Sequence, residues 1–186
     1  MEKKPENQEP KKVKMPENQP EVTAIEPPRD EIVDRVVNIN RVAKVVKGGK
    51  RFGFASLVVV GNGNGRVGAA IGKANDVRAS IEKGISKAKD SMVSVSLTDD
   101  FTIPHSVVGK CGAAEILLKP AGPGTGVISG GPARAVLETA GVKNILTKCL
   151  RSRNPINVVY ATINGLSRIR TKQDIARMRD MEEAKL

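Results

Sequence analysis

Aromatic residues are nearly absent. The 186-residue chain has no Trp, and Phe52, Phe54, Phe101 and Tyr160 are all the rings it carries. A mechanism that stacks many bases on side-chain rings therefore has little to work with. Cysteine is equally scarce. Cys111 and Cys149 lie far apart and form no Cys-x-x-Cys pair, so the expectation is two reduced thiols rather than a disulfide framework or a metal site. His105 is the only histidine. With no carboxylate or nucleophile at matching spacing it reads as structural or phosphate-contacting, and no metal-ligand spacing exists. No run of about 18 apolar residues is present, so no membrane-spanning helix is expected. The first residues lack an apolar h-region and have no Arg before Arg29, which argues against a secretory signal or a mitochondrial-type presequence.

What the chain has is positive charge, and it is placed unevenly. The formal net charge is +11. Residues 1–30 hold 6 Lys/Arg against 7 Asp/Glu and residues 171–186 hold 4 of each, while residues 31–170 hold 21 against 9. The excess sits on the part with hydrophobic periodicity, which points to a folded basic surface for nucleic acid or an anionic membrane face. Residues 1–30 repeat a Pro-Glu-Asn-Gln pattern, offer few core residues and read as a disordered arm.

The centre of the folded part is Val42 to Lys73. A strand leads into Lys47-Gly48-Gly49-Lys50-Arg51, a second strand follows over 52–60, and Gly61-Asn62-Gly63-Asn64-Gly65 turns into a third over 66–71. Both turns permit positive φ and are read as leaving backbone N–H groups for an anion. The first adds Lys47, Lys50 and Arg51 at its tip, a shape suited to a phosphate-lined groove. Asp76 is a candidate N-cap for a helix to about Met92, with Val77, Ile81, Ile85, Ala88 and Met92 as its apolar stripe. Phe52 and Phe54 share a strand face and read as core under that helix. This unit of about 60 residues is marginal alone and is expected to lean on a neighbour.

After an acidic link at Thr98-Asp99-Asp100, a second unit starts near Pro104. A strand over 113–119 is followed by the loop Pro120 to Gly131 and a helix from Pro132 to Ala140, stopped by Gly141. Val142 to Leu146 forms a short return, Arg151-Ser152-Arg153 a basic loop, and Asn154-Pro155 opens a helix with Ile156, Val159, Ile163 and Leu166 inward. Thr171-Lys172-Gln173-Asp174 resembles a capping box at the head of a charged tail.

Several motifs suggest other chemistries. Lys50-Arg51-Phe52-Gly53-Phe54 partly matches the aromatic strand of RNA-recognition and cold-shock domains, without a second aromatic strand. Gly61 to Gly65 looks like a phosphate loop, yet a strand follows it rather than a helix. Pro120 to Gly131 vaguely resembles the loop of small-molecule kinases of the galactokinase–homoserine kinase superfamily, but Glu115 and Glu138 nearby have no evident partner for Mg²⁺ chemistry. A free-standing regulator of double-stranded RNA is a further alternative.

Taken in order, Val46-Lys47-Gly48-Gly49, Val59 to Gly68, Gly124 to Gly131, Arg134 to Glu138 and Asn154 to Val159 closely resemble the family of the fifth protein of the small ribosomal subunit in its bacterial form, over about residues 34–168. The resemblance implies an α+β chain of two small domains. These are a three-stranded antiparallel sheet plus helix related to double-stranded-RNA-binding domains (31–97) and a βαβα domain with a left-handed crossover (104–170), with a charged tail at 171–186. It implies a structural constituent of the ribosome, cytoplasmic or organellar, that binds small-subunit ribosomal RNA near the decoding centre and supports accuracy. Its implied neighbours are small-subunit proteins four and eight and the messenger entry path. No enzyme activity, cofactor, metal, membrane or small-molecule substrate is expected. Candidate RNA contacts are Arg41, Lys44, Lys47, Gly48, Gly49, Lys50, Arg51, Asn62, Asn64, Arg66, Lys73, Arg78, Lys110, Lys143, Arg151 and Arg153. In the family the interface with protein four maps to Gly126 and Arg134, and the spectinomycin region to Ala43, Lys44 and Lys47.

Overall fold

A computed structural model describes residues 32–181. The expectation of a disordered arm over 1–30, and the last five residues of the tail, lie outside these. Strands β1 (Val33–Val46), β2 (Gly49–Gly61) and β3 (Arg66–Ala74) form an antiparallel sheet, followed by helix α1 (Val77–Asp90). A two-residue strand, β4 (Val93–Ser94), adds to the far edge, giving the order β1-β2-β3-β4. The second sheet has the order β5-β6-β8-β7, from β5 (Val107–Cys111), β6 (Ala114–Pro120), β7 (Val127–Ile128) and β8 (Ile145–Cys149). Helix α2 (Gly131–Ala140) connects the parallel pair β7 and β8, and α3 (Pro155–Ser167) and α4 (Lys172–Arg179) complete the chain. β5 is absent from the sequence expectation, because Val107-Val108-Gly109-Lys110-Cys111 carries a Gly and a Lys and no clean alternation.

The helix α1 is where it was expected, but its buried line is Ser80, Gly84 and Ala88, with Ile81 and Ile85 half-buried beside it. The stripe is rotated because helix and strand approach closely: a Cβ on Gly72 of β3 would sit 1.8 Å from the Ser80 carbonyl oxygen. Small residues are needed along that line, and the large apolar ones flank it. One face of the first sheet, through Val58, Val60 and Ala70, packs on α1. The other, through Leu57, Val59, Val67 and Ala69, joins Val136, Leu137 and Ala140 of α2 and Val158, Val159 and Leu166 of α3 in a single buried cluster. The first unit thus leans on the second through the Leu57, Val59, Val67 and Ala69 part of this face, and each fully buried Val or Leu there contributes about 1.5–3 kcal/mol of transfer free energy.

The tail begins as the sequence indicates. The Thr171 side-chain oxygen accepts from the Asp174 backbone N–H at 3.1 Å, while the Thr171 backbone N–H and hydroxyl donate to the Asp174 carboxylate at 3.1 and 2.7 Å. The hydrogen bonds from Thr171 hold the Asp174 carboxyl below its usual range. A depressed folded-state value means support for α4 that is present above the usual aspartate range and is lost as pH falls through the lowered value. Protection of the 172–179 amides, taken relative to their intrinsic exchange rate at each pH, should therefore fall on acidification below that range, and Asp174→Asn, which keeps an acceptor but cannot titrate, should remove this pH dependence of the protection. Identical acid profiles for the two chains would contradict this.

Candidate nucleic-acid interface

β1 and β2 outrun the rest of their sheet. β3 ends at Ala74, opposite Phe54, whereas β2 continues to pair with β1 from Gly53–Val42 to Gly49–Val46. Five rungs therefore form a two-stranded ribbon, extending about 17 Å at about 3.4 Å per residue. Residues 35–75 hold eight Lys/Arg and no Asp or Glu. Lys47, Gly48, Gly49, Lys50 and Arg51 are all exposed at the ribbon tip. Gly48 has φ 99° and Gly49 φ 150°, and no atom lies within 4 Å of a Cβ built on either. The tip needs glycine for its turn and not for packing.

Cross-strand partners share a face. One face of the ribbon carries Arg41, Ala43, Val45, Lys50, Phe52 and Phe54, and the other carries Val42, Lys44 and Arg51, continued by Lys73 through the rungs Asn40–Ala55 and Ala55–Lys73. Lys44 stands directly opposite Arg51. Like charges at one rung repel, and the ribbon has no carboxylate of its own to relieve them. A phosphate strand would supply that counter-charge.

Two sequence expectations do not hold. Phe52 is not under the helix: it is 51% exposed, lies two rungs past the end of β3 on the Phe54 side, and its ring carries the Arg41 guanidinium 4.0 Å from its centroid. Phe52 and Phe54 do share a face, but α1 covers only the part of that face carrying Val58 and Val60. The second glycine turn does not offer its N–H groups to an anion. Gly63 N–H donates to the Thr139 carbonyl at 3.0 Å and Gly65 N–H to the Ala140 carbonyl at 2.9 Å, while the Asn62 side-chain oxygen accepts from the Asn64 and Arg66 N–H groups at 2.9 and 3.0 Å. This turn docks on the C-terminus of α2, where unpaired carbonyls need donors. Asn62 is thereby committed to turn geometry, and Asn64 is left exposed on the turn beside Arg66.

The remaining cations are exposed but differently engaged. Arg78 pairs with Glu82 one turn along α1 at 3.0 Å. Lys110 and Arg151 both pair with Glu115, at 3.0 and 3.4 Å. The hydrogen bond from Lys110, with Arg151 adding, holds the Glu115 carboxyl below its usual range despite partial burial. Glu138, also without an evident partner in the sequence, pairs with Arg35 across the domain junction. Lys143 lies 3.7 Å over the Phe101 ring, and Arg153 is exposed in the loop before α3. Arg41, Lys44, Lys47, Lys50, Arg51 and Lys73 thus share one ribbon and its base, while Lys110 and Arg151 flank Glu115 on the second sheet. His105 Nε2 accepts from the Arg170 N–H at 3.3 Å.

The Pro-rich loop is positioned by a residue that sequence reasoning missed. The buried Asn144 side chain accepts from Gly124 and Gly126 N–H at 3.1 and 3.2 Å and donates to the Asp100 carbonyl at 3.1 Å, tying the loop to the inter-domain link. Only the Asn following Gly141-Val142-Lys143 hinted at it. Arg134 donates to the Val127 carbonyl at 3.2 Å across the same loop. Beside it, a cavity of about 460 Å³ is lined by Ser129, Gly130, Gly131, Thr147, Lys148 and Arg153, with Ile128, Pro132, Cys149 and Val158. No carboxylate lines it, so it lacks the Mg²⁺ ligand a kinase reading requires.

The family model described as "Ribosomal protein S5, N-terminal domain" matches residues 32–96, and "Ribosomal protein S5, C-terminal domain" matches 109–179. The chain is 55% identical over 159 residues to the small ribosomal subunit protein uS5 of Syntrophobacter fumaroxidans, covering 86% of this chain and 95% of that protein. It is 56% identical over 149 residues to the protein of the same name from Salinibacter ruber, covering 80% and 85%.

Proposed function

Because this chain belongs to the ribosomal protein S5 family, we propose that its basic ribbon, residues 41–53, enters small-subunit ribosomal RNA near the decoding centre. The chain is a structural constituent of the small ribosomal subunit, associated with ribosomal RNA and other ribosomal proteins in the cytoplasmic ribosome, and not an enzyme. The observation carrying the finer reading is a two-stranded, acid-free projection with a like-charge rung, which neutralises its own field only when a polyanion lies against it. Lys44, Lys47, Lys50, Arg51 and Lys73 meet phosphates, and Ala43, Lys44 and Lys47 form the antibiotic-adjacent stretch. The Asn144-anchored loop with Gly126 and Arg134 faces protein four and influences accuracy. Protein eight and the messenger entry path complete the surroundings. The second-domain cations Lys143, Arg151 and Arg153 add phosphate contacts.

Gly48→Val tests the ribbon reading. At φ 99° a β-branched residue is strained, by about 1–2 kcal/mol or more, and the tip must rearrange while the core stays intact. The variant should melt close to the parent but leave small subunits in a moderate-salt sucrose gradient, where the parent sediments with them. Co-sedimentation equal to the parent's would contradict the reading.

A further inference from the structure

The ribbon carries an apolar platform that phosphate contacts leave unused. On the face away from the Lys44–Arg51 rung, successive rungs are Val45–Lys50, Ala43–Phe52 and Arg41–Phe54. Val45 is 74% exposed and Phe52 51% exposed. Ala43 opposite Phe52 is small and exposed, so it leaves room beside the ring. Arg41 lies against the ring as a cation on its π-face, and Lys50 closes the other end at the tip. An exposed phenylalanine on a ribbon that has no third strand beneath it does no core work. Surrounded by cations and without a neighbouring acid, it suits a partner that offers both a flat apolar surface and negative charge. A nucleotide has both.

Bases inside a duplex already have both faces stacked, so only an unpaired one can use such a surface, and rings and guanidinium planes are the side chains on which unpaired bases stack. We infer that Phe52 with Arg41 forms a platform for one unpaired base of the bound RNA, with Lys50 and Arg41 holding the phosphates on either side of it. This rests on the ribbon being the RNA-binding element and adds to it a local requirement: the RNA at this face is bulged or looped, and not only read as an A-form shape.

The test uses the full chain and two synthetic RNAs, a duplex with one bulged 2-aminopurine and the same duplex with that base paired. At 0.1 M salt the parent chain should bind the bulged RNA about ten-fold or more tightly over the paired one, since stacking of a base on a ring contributes on that scale. It should also change the fluorescence of the bulged base. Phe52→Leu, which keeps an apolar side chain but no ring, should abolish the fluorescence change and the preference, its affinity for the bulged RNA falling to its affinity for the paired one. Phe52→Trp should restore both. If Phe52→Leu keeps the preference, or the parent has none while binding both RNAs, the platform is refuted and the phosphate-reading ribbon stands. If the parent binds neither RNA, both readings fail together.

Discussion

Replacing Lys44, Lys47, Lys50 and Arg51 together with Gln is expected to cut affinity for small-subunit ribosomal RNA on the order of a thousand-fold at 0.1 M salt. It should also flatten the slope of log affinity against log salt by about 3 to 4, at about 0.9 for each phosphate that is no longer neutralised. All four side chains are exposed, and none is engaged by a carboxylate in the ion pairs of the described residues. Their removal should therefore leave the fold intact. Relief of the Lys44–Arg51 repulsion should even raise the melting temperature slightly in the free protein. That opposition of signs, weaker binding with equal or greater stability, separates the prediction from simple unfolding. Changing Lys83, Lys87 and Lys89 of α1 to Gln removes nearly as much charge from a different surface and should alter the slope far less. Equal slopes for the two variants would mean that bulk charge, and not the ribbon, governs binding.

The second large effect falls on stability. Gly141→Ala should destabilise the chain by about 3 kcal/mol or more. Gly141 ends α2 at φ 88°, where a Cβ is unfavourable by about 1–2 kcal/mol, and that Cβ would sit 1.9 Å from the Gly63 carbonyl oxygen. Backbone, not a flexible side chain, stands in the way, so the second glycine turn must leave the end of α2. Gly63 and Gly65 then lose the carbonyls they donate to, and the buried cluster joining Leu57 and Val59 to Val136 and Leu137 opens at its edge. Because one core serves both sheets, denaturant unfolding followed by probes in either half should shift by the same amount. Two separated transitions, or a change below about 1 kcal/mol, would show that the halves are stabilised independently. Set beside Gly48→Val, the contrast is instructive: both are positive-φ glycines, one with open space around it and one pressed on backbone, and they should separate binding from folding.

Much of the fold is legible in the residues alone. The alternation around Lys47–Arg51 marks a hairpin, Pro132 and Gly141 bracket α2, and Asn154 caps α3 through its side chain to the Ile156 N–H. Those are local signals, and local chemistry decides them. What is not legible depends on which element lies behind which. Phe52 and Phe54 share a face in any antiparallel strand, but whether a third strand and a helix reach as far as residue 52 is set by where β3 ends. Gly61 to Gly65 announces conformational freedom without saying whether an anion or a helix end will use its N–H groups. Asn144 follows the same rule, since its three partners lie 18, 20 and 44 residues away.

The most direct test of the ribbon is where its tip sits in the assembled particle. With a photocrosslinking amino acid at position 47 and, as a control, at position 119 on β6, irradiation of small subunits containing the full chain should join position 47 to ribosomal RNA in high yield. A crosslink from position 47 only to protein, or none at all from subunits that have incorporated the chain, would contradict it.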